Sequence, residues 1–423
     1  MLKDDIIATD ASEEGPNEKS SFEIQKYSIF DGYFSIIWAD GHKAEFSFSW
    51  LRDWCSCETC SDRHNVDSAA MLDINFSSEP REVKVKDRRV LQIIWKADGH
   101  DSTYSSEWLR RFGNTTHKGQ LGYSGRQLAS NLQSIYYKSL RKDEATQLRL
   151  LEGVRDFGFT LIRDVPNQPE EVGKLALCLG YIPGGWRYAA QPEEILVAPA
   201  RPNEKDGFDS EAEAMLEAQD AHFRRTLLVP HTDFSFTSWP TGLFVFHCLR
   251  PSPDGGGKTI LVDGFHVAER LRAENPAAFK LLSSARYPFR GHGSVKKDWH
   301  SHARVISTDE HGKITGIRFA LGSRMPLPSH RDPDGAYTKA IQAMLRLVLD
   351  PSCQIHLQLS AGDCLVMDNH RILHGRTGMD PQASDTRWFR RFDIERDAAQ
   401  SRMISLARKL NRSVDPLPSG AHG

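Results

Sequence analysis

The sequence has no long apolar run, no excess of charge of either sign and few cysteines, and each shortage removes a class of function. No stretch approaches the roughly 20 apolar residues that cross a bilayer, so no membrane partner is expected. Lysine plus arginine number 54 against 56 aspartates and glutamates, a net charge of -2. That balance gives no electrostatic case for nucleic acid or an anionic membrane surface. Seven cysteines in 423 residues do not make a disulfide framework. Three of them fall between positions 55 and 60, a clustering that points to metal in a reducing compartment. The opening MLKDDIIATDASEEGPNEKS lacks the basic start and apolar core of a secretory leader. It also carries acids that a mitochondrial presequence avoids. Residues 1–21 are expected to be a disordered tail, and the protein to be cytoplasmic.

What is present supports a sizeable core. Hydrophobic residues make up 39% of the chain and aromatics 9%, and the length implies two or three domains. Residues 22–112 read as a small β-rich unit with an internal echo. "FSIIWADGHKAEFSFSWLRDW" begins at Phe34 and "LQIIWKADGHDSTYSSEWLRRF" at Leu91. Both run apolar strand, Asp-Gly-His turn, alternating strand, Trp-Leu-Arg. Asp-Gly between alternating runs is a hairpin signal, so two related hairpins in one sheet are expected. Residues 113–145 read as a linker helix, from the helical spacing in "GRQLASNLQSIYYKSL". From residue 146 to 423 a larger unit follows. "QLRLLEGVRDFGFTLIRDVP" reads as helix, Gly158 break, strand and Pro166 stop. A helix near Glu170–Leu179 comes next, then many short strands interrupted by helices near Val267–Leu282 and Tyr337–Leu349. The pattern is mainly β with flanking helices (α+β), a helix-flanked β-sandwich or jelly roll. The acidic, polar stretch 200–220 reads as a mobile loop that acts as a lid and orders on substrate binding.

Chemistry concentrates in two places. "LVPHTDFSF" carries His231 and Asp233 two residues apart. On a strand, positions i and i+2 share a face, so the pair is either a hydrogen-bonded couple or two ligands of one ion. "DCLVMDNHRILHGRTG" places His374 at the end of an apolar strand, 143 positions after His231. Two imidazoles and one carboxylate on one face, with positions left open, suit a non-haem Fe(II) oxygenase. "TRWFRRFDIER" then supplies Arg387, Arg390 and Arg391. A fixed guanidinium is what a dicarboxylate cosubstrate requires. Alternation puts Arg387 and Arg391 on one face and Arg390 on the other. Thr259, in "GGGKTILVDGF", offers a hydroxyl to the same carboxylate. The second place is "WCSCETC", with Cys55, Cys57 and Cys60. A structural zinc needs a fourth ligand, and His64, His42 and His100 are the choices the spacing leaves open. Cys178, Cys248, Cys353 and Cys364 sit in apolar runs and read as core residues.

In "HTDFSF", "GGGKTILVDGF", "DNHRILHGR" and "WLRDWCSCETC" the chain resembles the gamma-butyrobetaine hydroxylase and trimethyllysine hydroxylase branch of the taurine-dioxygenase-like, 2-oxoglutarate-dependent oxygenases. The resemblance spans residues 28–410. It implies a double-stranded β-helix (jelly roll) catalytic domain behind a zinc-binding N-terminal domain, and a homodimer. It implies that His231, Asp233 and His374 hold Fe(II), that Arg387 binds the distal carboxylate of 2-oxoglutarate, and that Thr259 assists; Arg391, on the strand face of Arg387, reads as a further cofactor-binding residue. It selects His100 as the fourth zinc ligand. The implied reaction hydroxylates an unactivated C–H of a small amino acid, betaine or related carboxylate, consuming O2 and releasing succinate and CO2. Desaturation or ring closure is the sibling outcome. A zinc hydrolase built on the same three ligands, or a non-catalytic zinc-binding module, are the rivals from other classes. Relatives acting on trimethylammonium groups hold them in an aromatic cage. Trp186, Tyr188 and Phe223 are the candidates here. The cage is incompletely matched, with His370 and Asp393 where aromatic residues are expected and Arg187, Arg224 and Arg225 nearby.

Overall fold

The computed structural model describes residues 22–55, 57, 60, 79–112, 122–132, 134–180, 193–197, 227–291, 299–325, 327, 332, 334–379, 387–412, 414, 416–418 and 420. The expected tail 1–21, the 200–220 loop, His64, Trp186, Tyr188 and Phe223 lie outside them. The chain divides into two units, Met1–Lys118 and Gly119–Gly423.

In the first unit, β1 (Ile24–Phe30), β2 (Tyr33–Trp38) and β3 (Lys43–Ser47) form one antiparallel sheet that runs into helix α1 (Phe48–Asp53). β4 (Pro80–Lys86), β5 (Val90–Trp95) and β6 (Asp101–Ser105) form a second sheet that runs into α2 (Ser106–Phe112). The two echoes therefore build separate sheets, where one was expected from sequence. They meet through a shared core containing Phe34, Trp38, Phe46, Leu91, Trp95 and Tyr104. Ion pairs cross between the copies reciprocally. Arg52 of the first pairs with Asp98 of the second at 2.7 Å, and Arg110 of the second with Asp40 of the first at 2.9 Å. The repeated Trp-Leu-Arg and Asp-Gly-His motifs are thus the two halves of one latch, used twice.

The second unit is a layered mixture of helix and sheet. The stretch expected as one linker helix is instead α3 (Gly125–Ser130), β7 (Ser134–Tyr136) and α4 (Tyr137–Leu140). The β7 segment pairs parallel with β8 (Phe159–Arg163), a tertiary contact that outweighs local helical spacing. Between them, α5 (Glu144–Phe157) starts on an Asp143 cap and stops at Gly158, whose φ of +84° suits glycine. Then come α6 (Glu171–Leu179), β9 (Glu193–Val197), β10 (Leu228–His231), β11 (Leu243–Arg250) and β12 (Thr259–Asp263). The helix expected over Val267–Leu282 is two helices, α7 (Gly264–Glu274) and α8 (Pro276–Ser284). Asn275-Pro276 ends one and caps the other. Hairpins β13 (Tyr287–Arg290) with β14 (His300–Ala303) and β15 (Ile306–Thr308) with β16 (Ile314–Ile317) precede α9 (Ala336–Val348). The chain closes with β17 (Gln354–Leu357), β18 (Cys364–Asp368), β19 (Ile372–Arg376), β20 (Arg387–Ile394) and α10 (Arg396–Lys409).

Two sheets organise the unit: β10-β19-β12-β17 and β7-β8-β18-β11-β20-β9. Leu261 and Ile355 from the first and Phe159, Phe244, Leu365, Met367 and Phe389 from the second share one core between the sheets. The other face of the six-stranded sheet packs on α5, α6 and α10, and α7, α8 and α9 pack on the other side of the four-stranded sheet. Cys248, Cys353 and Cys364 are buried and Cys178 is half-buried. Among the described residues no helix is long and apolar enough to cross a membrane.

Candidate active site

The strand carrying His231 ends at His231 itself. Asp233 lies in the turn that follows, so strand alternation does not bring the two together. The turn does so through a dense set of hydrogen bonds. The Asn369 side chain accepts from the Asp233 N–H at 2.8 Å and donates to the Asp233 carbonyl at 3.1 Å and the Thr241 carbonyl at 2.9 Å. Phe319 N–H donates to the Thr232 hydroxyl at 2.9 Å. Buried Arg318 donates to the carbonyls of Ser235 and Thr237, at 3.1 and 2.7 Å. Phe234, a non-glycine residue, is held at φ +55°, strain of a kind that concentrates at functional sites.

His374 reaches the same point from β19, whose register places it opposite His231 on β10 and Leu261 on β12. His231 Nε2 is 3.1 Å from one Asp233 oxygen and His374 Nε2 is 3.7 Å from the other. One donor atom from each of the three residues falls within a 4.8 Å span. Metal–N and metal–O bonds of about 2.1 Å meeting at right angles separate neighbouring donors by about 3 Å, so the residues present fit a divalent ion. His231 Nδ1 donates to the Val229 carbonyl at 2.9 Å, which leaves Nε2 to present its lone pair. Burial alone pushes the Asp233 carboxyl up and the His231 imidazole down. Their mutual contact, with His374 beside them, reverses both, holding Asp233 well below the usual carboxylate range and raising His231. The carboxylate is therefore ionised and available as a ligand.

A cleft between the two sheets opens at this triad. It is lined by Asp233 and His374, by Thr259 and Arg376 of the four-stranded sheet, and by Phe246, Arg387 and Arg391 of the six-stranded sheet. Arg391 donates to Asp233 at 2.8 Å and stands 3.0 Å from Asp393. Arg390 is in register with His247. Arg387 is buried, its guanidinium 3.6 Å from the centre of the Phe389 ring. Burial, and then the charge of Arg376, lower its pKa to about 9. Arg376 is lowered to about 10 by burial.

The turn "DNHR" serves this site as a scaffold. Asp368 pairs with Arg396 at 2.9 Å, Asn369 holds Asp233, and His370 donates to the Pro240 carbonyl at 3.2 Å. Arg371 pairs with Asp263 at 2.8 Å, both side chains almost wholly buried. The sequence gives no role to Asn369 or Arg318, and marks Arg376 only as the residue that follows His374 and Gly375. Asn369 and Arg376 lie inside motifs read there, but nothing in a linear pattern distinguishes a buried amide that clamps a backbone from a solvated one.

In the first unit, Cys55, Cys57, Cys60 and His100 converge. The three sulfurs lie 3.3, 3.5 and 3.5 Å from His100 Nε2. Zn–S near 2.3 Å and Zn–N near 2.0 Å at tetrahedral angles predict about 3.5 Å, so this set fits zinc. His42, the counterpart of His100 in the first echo, instead meets Trp38 in a tilted ring contact, with centroids 5.4 Å apart.

Residues 125–392 match the family model "Taurine catabolism dioxygenase TauD, TfdA family", and residues 27–110 match "Gamma-butyrobetaine hydroxylase-like, N-terminal". The chain belongs to the TauD/TfdA dioxygenase family. Among curated relatives of this dioxygenase, the gamma-butyrobetaine dioxygenase of Pseudomonas sp. (strain AK-1) is 30% identical, over 88% of this chain and 94% of the relative. A trimethyllysine dioxygenase of Meyerozyma guilliermondii is 27% identical, over 85% and 90%. The human gamma-butyrobetaine dioxygenase is 24% identical, over 92% and 98%. This TauD/TfdA protein is accordingly a gamma-butyrobetaine-hydroxylase-like Fe(II)/2-oxoglutarate oxygenase.

Proposed function

We propose that this oxygenase hydroxylates an unactivated C–H of a small amino acid, betaine or related carboxylate, with His231, Asp233 and His374 as its iron ligands. The observation that carries the reading is the convergence of these three side chains, two of which, Asp233 and His374, line a cleft together with buried Arg387. Iron, when bound with 2-oxoglutarate, supplies O2 activation coupled to release of succinate and CO2. The chain's own residues do the rest. Three protein ligands leave sites for a chelating keto acid and O2. Arg387 and Thr259 receive the distal carboxylate of the cosubstrate. Arg391 fixes the Asp233 carboxylate by a charge-assisted hydrogen bond. Phe244, 5.5 Å from His374 in an edge-on contact, and Phe246 keep water from the ligands. Substrate pose decides between hydroxylation and the sibling outcomes, desaturation and ring closure.

The facing four- and six-stranded sheets support the double-stranded β-helix reading of the catalytic unit. The Cys55–Cys57–Cys60–His100 geometry supports a structural zinc, with Arg52 3.8 Å from the Cys60 sulfur as a counter-charge. The relatives' names support a carboxylate that carries an amine or quaternary ammonium. Trp186, Tyr188 and Phe223 remain the proposed substrate-side aromatics, and a homodimer the proposed assembly. The test is succinate release on exposing the Fe(II)- and 2-oxoglutarate-loaded protein to O2, across a panel of amino acids and betaines, with His231→Ala as control. Succinate that rises with one panel member and vanishes in the control supports the reading. Succinate that is the same in the control sinks it.

A further inference from the structure

We propose that Arg376 is a second guanidinium for the distal carboxylate of the 2-oxoacid cosubstrate, so that Thr259 and Arg376 from one sheet and Arg387 from the other clamp that carboxylate between them. The proposal rests on reading the cleft as the 2-oxoglutarate site. Arg376 closes β19 two residues after His374, and strand alternation sets it on the face that His374 presents to the cleft. Thr259 is its register partner across β12 and β19 and lines the same cleft. Arg387 enters from β20 of the opposite sheet. Arg376 is 4% exposed and Arg387 5%.

Like charges buried together repel more than they would in water, and Arg376 acts on Arg387 through its charge. Among the described residues no carboxylate pairs with Arg387. Asp233, the acid lining the cleft among those residues, already faces both imidazoles and Arg391. An incoming dicarboxylate relieves this repulsion, and a keto acid with a methyl group at that end does not. The count of bonds agrees. A carboxylate offers about four lone-pair positions. A forked contact with Arg387 uses two, which leaves one for an Arg376 N–H and one for the Thr259 hydroxyl. Selectivity for a dicarboxylic 2-oxoacid over its monocarboxylic analogue is then set jointly by Arg376 and Arg387.

The test is anaerobic titration of the full-length Fe(II)-loaded protein with 2-oxoglutarate and with 2-oxovalerate, following the visible absorption of the iron–keto-acid chelate. Arg376→Met is expected to weaken 2-oxoglutarate binding roughly ten- to hundredfold, the scale of a lost charge-assisted bond, and to leave 2-oxovalerate within about twofold. Arg376→Lys keeps the charge and loses the fork. It is expected to show a smaller loss with the same selectivity, and it decides the matter if the methionine variant does not fold. Unchanged 2-oxoglutarate affinity in the Arg376 variants, with affinity lost in Arg387→Met, overturns the role of Arg376 and leaves the cosubstrate site standing. Equal losses for both keto acids overturn it too, because they mean a structural role only. If Arg387→Met also binds 2-oxoglutarate normally, the cosubstrate reading itself falls.

Discussion

Replacing Asn369 with alanine removes the clamp on Asp233 without touching any candidate ligand. The side chain is 1% exposed, and its amide serves the Asp233 N–H, the Asp233 carbonyl and the Thr241 carbonyl. Each buried backbone group left unsatisfied costs about 1–3 kcal/mol. At the low end of that range, three groups amount to about 3 kcal/mol. Part of the loss falls on the ligand geometry, because the Asp233 backbone is then free to turn its carboxylate away from His374. Loss of a group that orients a ligand weakens metal binding by roughly 10- to 100-fold. Denaturant midpoints of the metal-free protein read the first effect. Calorimetric titration with Mn(II), a redox-quiet stand-in for Fe(II), reads the second. A variant within about 0.5 kcal/mol of the parent, with unchanged Mn(II) affinity, refutes the clamp.

Other outcomes follow from single residues. His247 is fully buried on β11 of the six-stranded sheet, and burial lowers its pKa from 6.5 to about 4. The folded state binds this proton more weakly than the unfolded chain. The stability His247 contributes is therefore fully present above pH 6.5 and falls away as pH drops toward 4. A gap of that size corresponds to about 3 kcal/mol, and His247→Leu should flatten the acid limb of the stability–pH curve across that window. A limb identical to the parent's would show that His247 is not a source of it. A Cβ at Gly375 would stand 2.5 Å from the Leu228 carbonyl oxygen and 2.9 Å from Pro230 N. Gly375→Ala should thus push β10 from β19 between the two imidazole ligands, at about 1–3 kcal/mol and with weakened Mn(II) binding, read by melting and calorimetry. His100→Ala should abolish bound zinc by elemental analysis while leaving Mn(II) binding at His231, Asp233 and His374 intact. Retained stoichiometric zinc would exclude His100 as a ligand.

Chemistry was more legible in the sequence than architecture. The spacing of His231, Asp233, His374 and Arg387 and the cluster at Cys55–Cys60 sit in short, distinctive motifs, and the structure brings the corresponding atoms together. Strand alternation alone does not account for the meeting of His231 and Asp233. The strand stops at His231, and a strained turn with Phe234 at φ +55° does the aiming. A turn of this kind is specified by distant partners, Asn369, Arg318 and Phe319, which no local pattern reveals. The same holds for β7, which helical spacing assigned to a linker and pairing with β8 turned into a strand. The paired echoes were visible as repeats. That they form two sheets latched by Arg52–Asp98 and Arg110–Asp40 depends on side chains meeting across copies. Asn275-Pro276 is the exception: its helix break is written in local chemistry, a proline at the first helical position behind an asparagine cap.

Anaerobic titration of the metal-depleted protein with Fe(II) and then 2-oxoglutarate, watched for the chelate's visible absorption, reads the iron and cosubstrate sites together. The expected result is a band that saturates at one iron and one 2-oxoglutarate per chain and is absent from His374→Ala. No band at saturating Fe(II), or the same band in His374→Ala, would contradict it.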